Sequence, residues 1–77
     1  MRETIEMIVK TLVSDASMVD VREIEHDRGT TVIEVRVAPS DMGRLIGRQG
    51  RTVRALRTVL QAAGTKANRR YVLDVSE

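Results

Sequence analysis

Gly43-Arg44-Leu45-Ile46-Gly47-Arg48-Gln49-Gly50-Arg51-Thr52-Val53-Arg54 is the stretch whose reading decides the fold. Two of its glycines, Gly47 and Gly50, stand three residues apart, just after the apolar pair Leu45 and Ile46 and among four arginines. Glycine has no Cβ, so the chain can turn sharply at both positions. After Gly50, the residues Val53, Leu56, Leu60 and Ala63 recur at helical spacing. The stretch therefore reads as a short helix, a tight Gly-x-x-Gly turn and a longer helix. Such a turn places free backbone N–H groups and the positive end of a helix dipole beside arginine side chains. That combination suits an anion, and phosphate is the obvious one.

Upstream, Pro39 ends a strand, because proline cannot donate to a ladder. Ser40 or Asp41 is placed to cap the short helix, Asp41 to Ile46, and Gly47 is its natural stop. The strand before Pro39, residues 30–38, sets Ile33, Val35 and Val37 on one face and Glu34 and Arg36 on the other. His26-Asp27-Arg28-Gly29 is a polar turn fit to join it to an antiparallel neighbour. That neighbour, residues 18–26, alternates at Val19 and Val21 and then changes parity at Ile24, which predicts a bulge or an edge position. Earlier still, Ile5, Ile8, Val9, Leu12 and Val13 form one stripe of an amphipathic helix over residues 2–14, and Ser14 to Ser17 make a polar break. Downstream, Gly64 is expected to stop the long helix of residues 51–63, with Thr65 to Arg69 as a basic loop. Tyr71, Leu73 and Val75 then alternate with Val72 and Asp74 in a last strand.

The order is α-β-β-α-α-β. It predicts an α+β fold, a three-stranded mixed sheet with three helices packed on one face. A right-handed crossover makes the last strand parallel to residues 30–38, which become the central strand. With 77 residues the chain is expected to form a single domain, residues 1–77, with a thin core and no deep substrate pocket. It has no cysteine, hence no disulfide or thiolate metal site, which is compatible with a reducing cytosol. Acidic residues interrupt the N-terminus, which does not read as a signal or transit peptide. Residues 1–38 carry five basic and eight acidic side chains, whereas residues 39–77 carry eight basic and three acidic ones. The positive surplus lies in the half that holds the glycine turn, as a polyanion partner would require.

Leu45-Ile46-Gly47-Arg48-Gln49-Gly50-Arg51 and this element order resemble a KH domain of the type II arrangement over nearly the whole chain. The run from Asp41 to Arg57 resembles the small bacterial KH proteins of the KhpA family. The resemblance implies that Gly47, Arg48, Gln49 and Gly50 clamp the backbone of about four nucleotides of single-stranded RNA, with Ile46 as the apolar residue before the clamp. It also implies an RNA chaperone, acting as a homodimer or beside a larger KH-domain protein, with influence on cell shape and wall growth.

The side chains support the same site. Arg48 and Gln49 can donate to phosphate oxygens, and Arg51 and Arg54 extend a basic strip. Lys66, Arg69 and Arg70 are expected to form an opposite wall, with Leu45, Val53 and the last strand as an apolar floor. The single aromatic, Tyr71, excludes a multi-aromatic stacking platform. A P-loop and a dinucleotide fingerprint both need a glycine where Leu45 stands. His26 reads as a solvated turn residue, and Met1, Met7, Met18 and Met42 as core fillers or the start residue. No metal, cofactor or catalytic set is legible, so the chain is expected to be a cytoplasmic RNA-binding protein and not an enzyme. The alternative reading is a protein-interaction module with an idle groove, using Ile24 and Val32.

Overall fold

In the computed structural model, which describes residues 1–77, the apolar stripe of the first helix turns directly onto the sheet. This helix, α1, spans Arg2–Leu12, with Ile5 and Val9 buried and Glu6 held between Arg2 and Lys10 on the wet side. It stops two residues earlier than the periodicity suggests, because Val13 is extended and drops into the core. A 3-10 turn, Ala16–Met18, leads to β1, Asp20–Asp27. Thr30–Arg36 forms β2, and Gly29, at φ +85°, closes the hairpin between them.

The sheet order is β1-β2-β3, with β3 spanning Arg70–Ser76. β1 pairs antiparallel with β2 and β3 pairs parallel with it, so β2 is central in a mixed sheet. The register aligns Val21, Val35 and Val75 in one row and Glu23, Ile33 and Leu73 in the next. These rows face the helices. β1 is an edge strand, one of the two explanations expected for Ile24, and the bulge lies instead at Glu25 to Asp27, beside the hairpin turn. Ile24 points to the open face because its strand is regular there. Glu23 and Glu25 can take the inner positions because the helical layer does not extend over that end of β1, where both remain exposed.

Pro39–Asp41 makes a 3-10 turn into α2, Met42–Ile46. A second tight turn, Arg48–Gly50, leads to α3, Arg51–Ala67. The core joins Ile5 and Val9 of α1, Ile33 and Val35 of β2, Leu45 of α2, Leu56 and Leu60 of α3, and Leu73 of β3. Each such aliphatic side chain contributes about 1.5–3 kcal/mol on burial, against about 0–1 for a surface ion pair. The fold therefore rests on these contacts. Met7 and Met18 are exposed at 63% and 52% and do not fill the core, whereas Met1 and Met42 pack against it.

Gly64 does not end α3. The helix continues to Ala67 and stops at Asn68, which takes the left-handed conformation at φ +57°. The expected basic loop, Thr65 to Arg69, is thus mostly helix. Gly64 is buried, and a Cβ there would lie 2.5 Å from the Arg69 carbonyl oxygen. The Arg69 N–H donates to the Gly64 carbonyl at 2.8 Å, and the Arg70 N–H donates to Gly29 at 2.7 Å. Close backbone approach at Gly64 is what lets the chain leave α3 and enter β3 at once. Gly64→Ala is expected to cost about 1–3 kcal/mol through overpacking, despite alanine's better helix propensity. A urea midpoint equal to wild type would show that this junction yields freely.

Candidate nucleic-acid interface

α2 is only five residues long, and its position is set from outside. Leu45 is fully buried. At the other end the Asp41 carboxylate, expected as a helix cap, makes no cap bond to α2. It instead accepts the backbone N–H groups of Ser14 and Asp15 at 2.9 and 3.1 Å. Arg44 donates to the Ser14 hydroxyl at 2.9 Å. The Ser14 N–H, then the Asp15 N–H, then the nearby Arg44 charge hold the Asp41 carboxyl below its ordinary pKa, with partial desolvation opposing them. α2 is therefore latched to the linker between α1 and β1.

The turn after α2 has three residues at positive φ: Gly47 at +80°, Gln49 at +57° and Gly50 at +73°. Gly47 donates to Gly43 at 2.9 Å, and Gly50 donates to Gly47 at 3.0 Å. A Cβ at Gly47 would collide with the Thr52 hydroxyl and stand 2.8 Å from the Thr52 Cβ, whereas space around Gly50 is open. Arg48 and Gln49 are both exposed, and the start of α3 lies just beyond them. Ile46 flanks the turn at 39% exposure. Arg54 folds back onto the turn, donating to the Gln49 carbonyl at 2.7 Å and to the Gly50 carbonyl at 3.4 Å.

An open groove runs between α3 and the free edge of β3. Arg57, Gln61 and Thr65 line its helical wall, and Arg70, Tyr71 and Val72 line its strand wall. Arg54 lies one turn before Arg57 on the same side of α3, so the groove wall leads toward the glycine turn. Leu45 and Val53 are in the core and do not form its floor. Arg51 lies outside this groove and borders a shallow apolar cleft between α3 and α1 with Ile8, Leu12 and Val59.

Of the expected opposite wall, Lys66 is lost and Arg69 and Arg70 remain. Arg57 and Lys66 are nine residues, about two and a half turns, apart, so Lys66 projects from the other side of α3. Arg69 does line the groove, and it also donates to the Thr31 hydroxyl at 2.8 Å and to Glu25 at 3.1 Å, a bridge from the α3–β3 junction to the hairpin strands. Arg70 does line the groove, at the end remote from the glycine turn; α3, with 17 residues, is about 25 Å long. Arg57 belongs to the groove but not to the strip expected from the sequence. Its three-residue spacing from Arg54 is the signal that could have found it.

Residues 2–75 match the family described as KhpA/KhpB, KH domain. The chain belongs to this family. It is 46% identical to the RNA-binding protein KhpA of Aquifex aeolicus over 77 residues, covering all of this chain and 96% of that protein. It is 49% identical to the same-named protein of Halalkalibacterium halodurans, with 97% of each chain covered, and 45% identical to that of Streptomyces coelicolor, with 97% and 94% covered. No solved structure matches. No helix is long and apolar enough to cross a membrane.

The two turn glycines are expected to respond differently to alanine. Gly50→Ala costs about 1–2 kcal/mol, the strain of a left-handed alanine. Gly47→Ala costs more, since φ +80° with ψ +167° is a region essentially closed to residues with a Cβ, and the collision with Thr52 adds to that strain. Paired denaturant melts give both values, and equal costs would remove both the Thr52 contact and the harsher Gly47 backbone from the explanation.

Asp41 gives the second expectation. A carboxylate with a depressed pKa stabilises the fold above its unfolded value, about pH 4, and that contribution is lost as pH falls through the folded pKa. Asp41→Asn should lower stability at neutral pH and shrink the gap to wild type as pH drops below about 4. Thermal melts from pH 7 to pH 2.5 test this, and a gap independent of pH would count against it.

Proposed function

We propose that the chain is an RNA-binding protein that grips the backbone of a short single-stranded RNA segment with Gly47-Arg48-Gln49-Gly50. The observation that carries this is the turn itself. It presents the exposed residues Arg48 and Gln49, on a backbone with positive φ at Gly47, Gln49 and Gly50, at the start of α3, where a phosphate oxygen can approach. The relatives named as RNA-binding proteins, which align along nearly the entire chain, support the same reading. In it, Arg48 and Gln49 contact phosphate, Ile46 flanks the clamp, Arg51 and Arg54 add positive field, and Arg57 and Arg70 line the onward path with Tyr71. Arg69 lines the same groove, and Lys66 contributes from outside it. The chain acts as one cytoplasmic, non-enzymatic domain.

The groove spans few phosphates, so one copy binds weakly and with strong dependence on salt. A second copy or a larger KH-domain partner raises affinity through effective concentration, which fits an RNA chaperone. Influence on cell shape and wall growth would follow from that partnership and rests on family resemblance.

One observation favours a second reading, a protein-interaction module. Ile24, Val32 and Val72 stand in one cross-strand row on the open face of the sheet, with Ile24 44% and Val72 36% exposed.

Fluorescence anisotropy of a short single-stranded RNA at low and moderate salt separates the two. The Arg48→Asp, Gln49→Asp double variant, shown folded by circular dichroism, should lose at least tenfold in affinity, on the order of one lost charged contact. Equal binding by both proteins would move the RNA surface elsewhere. Absence of binding by wild type at any salt would favour the interaction module.

A further inference from the structure

Arg54 carries the next step. Gln49 is the one residue of the turn with a Cβ and a left-handed backbone, at φ +57° and ψ +27°. A side chain in that region costs roughly 1–2 kcal/mol and persists only where its surroundings hold it. Two contacts hold it here. The Gly50 N–H donates to the Gly47 carbonyl at 3.0 Å, and the Arg54 guanidinium takes the Gln49 and Gly50 carbonyls from the other side, at 2.7 and 3.4 Å. Left unmasked, those two carbonyls would present negative dipole ends to an anion approaching the turn.

We propose that Arg54 is a positioning residue, not a phosphate contact: its guanidinium locks the Gly47–Gly50 turn in its anion-ready shape and masks the two carbonyls. The proposal rests on the RNA-backbone reading for its consequence but not for the lock, which belongs to the RNA-free protein. A lysine keeps the charge but has no planar fork to span two carbonyls. Charge and geometry therefore separate in a single substitution.

The experiment compares wild type, Arg54→Lys and Arg54→Ala. Amide exchange of Gly50 is measured by NMR in the free protein. Binding of a uridine-rich single-stranded RNA is measured as a function of salt. Expected is Gly50 exchange faster by about fivefold or more in both variants, the loss of about one net hydrogen bond. Expected too is an RNA affinity reduced by a similar factor in both, with the slope of log K against log salt unchanged. Gly50 exchange equal to wild type in both variants would overturn the lock. A slope smaller by about 0.7 in Arg54→Ala, with Arg54→Lys binding like wild type, would overturn it in favour of a phosphate contact. If wild type binds no RNA, the clamp reading fails while the exchange data still decide whether Arg54 holds the turn.

Discussion

A single buried carboxylate ties the helical layer together. Asp41 accepts two backbone N–H groups from the segment joining α1 to β1, 27 and 26 residues away in sequence. Without it, Ser14 and Asp15 would lack these partners, and the start of α2 would lack a fixed point. A helix of five residues has almost no stability of its own. It is held by Leu45 in the core, by Asp41 at its start, and by Arg44 reaching the Ser14 hydroxyl. The glycine turn begins where this short helix ends. Its placement beside α3 therefore depends on a contact made near its other end.

Both ends of α3 are then fixed by glycines, through two different requirements. Gly47 needs positive φ and space against Thr52, which together admit no other residue without strain. Gly64 needs only the missing Cβ, because the backbone at Arg69 passes over it. The first sets how the turn enters the helix, and the second sets how the chain leaves it for the edge strand. Between them α3 lies fixed alongside β3, and the open groove is the gap that this spacing leaves. The packing that stabilises the fold and the geometry that shapes the candidate site are one arrangement.

This explains which features were legible in the residues alone. Ile33, Val35 and Val37 announce the central strand, and the hairpin and crossover follow from turn residues and handedness. The turn at Gly47 and Gly50 is local chemistry and reads correctly. Gly64 misleads because its reason is tertiary: nothing near it in sequence reveals that Arg69 will pass within contact of its Cα. Asp41 misleads in the same way, since its partners lie across the fold and a capping role is the sequence-local default. Lys66 looked like a groove residue because it is basic, but helical phase puts it on the far side. Arg69 does line the groove, though an acceptor pair at Thr31 and Glu25 occupies its guanidinium.

The charge surplus of the second half must accordingly be discounted residue by residue. Of its eight basic side chains, Arg44 is bound to Ser14, Arg54 to the turn carbonyls and Arg69 to Thr31 and Glu25, while Lys66 faces away. Arg48, Arg51, Arg57 and Arg70 remain without an intramolecular acceptor. Four guanidiniums set a ceiling of about 3 on the salt slope for a single strand, since each neutralised phosphate contributes about 0.7. That ceiling corresponds to roughly a fiftyfold loss of affinity between 50 and 200 mM salt. The ceiling is not reached if Arg51, which borders the α1 side, stays clear of an RNA lying in the β3-side groove. Of the arginines bonded within the fold, only Arg54 touches the turn, and the proposed grip of one copy rests on the few guanidiniums left free.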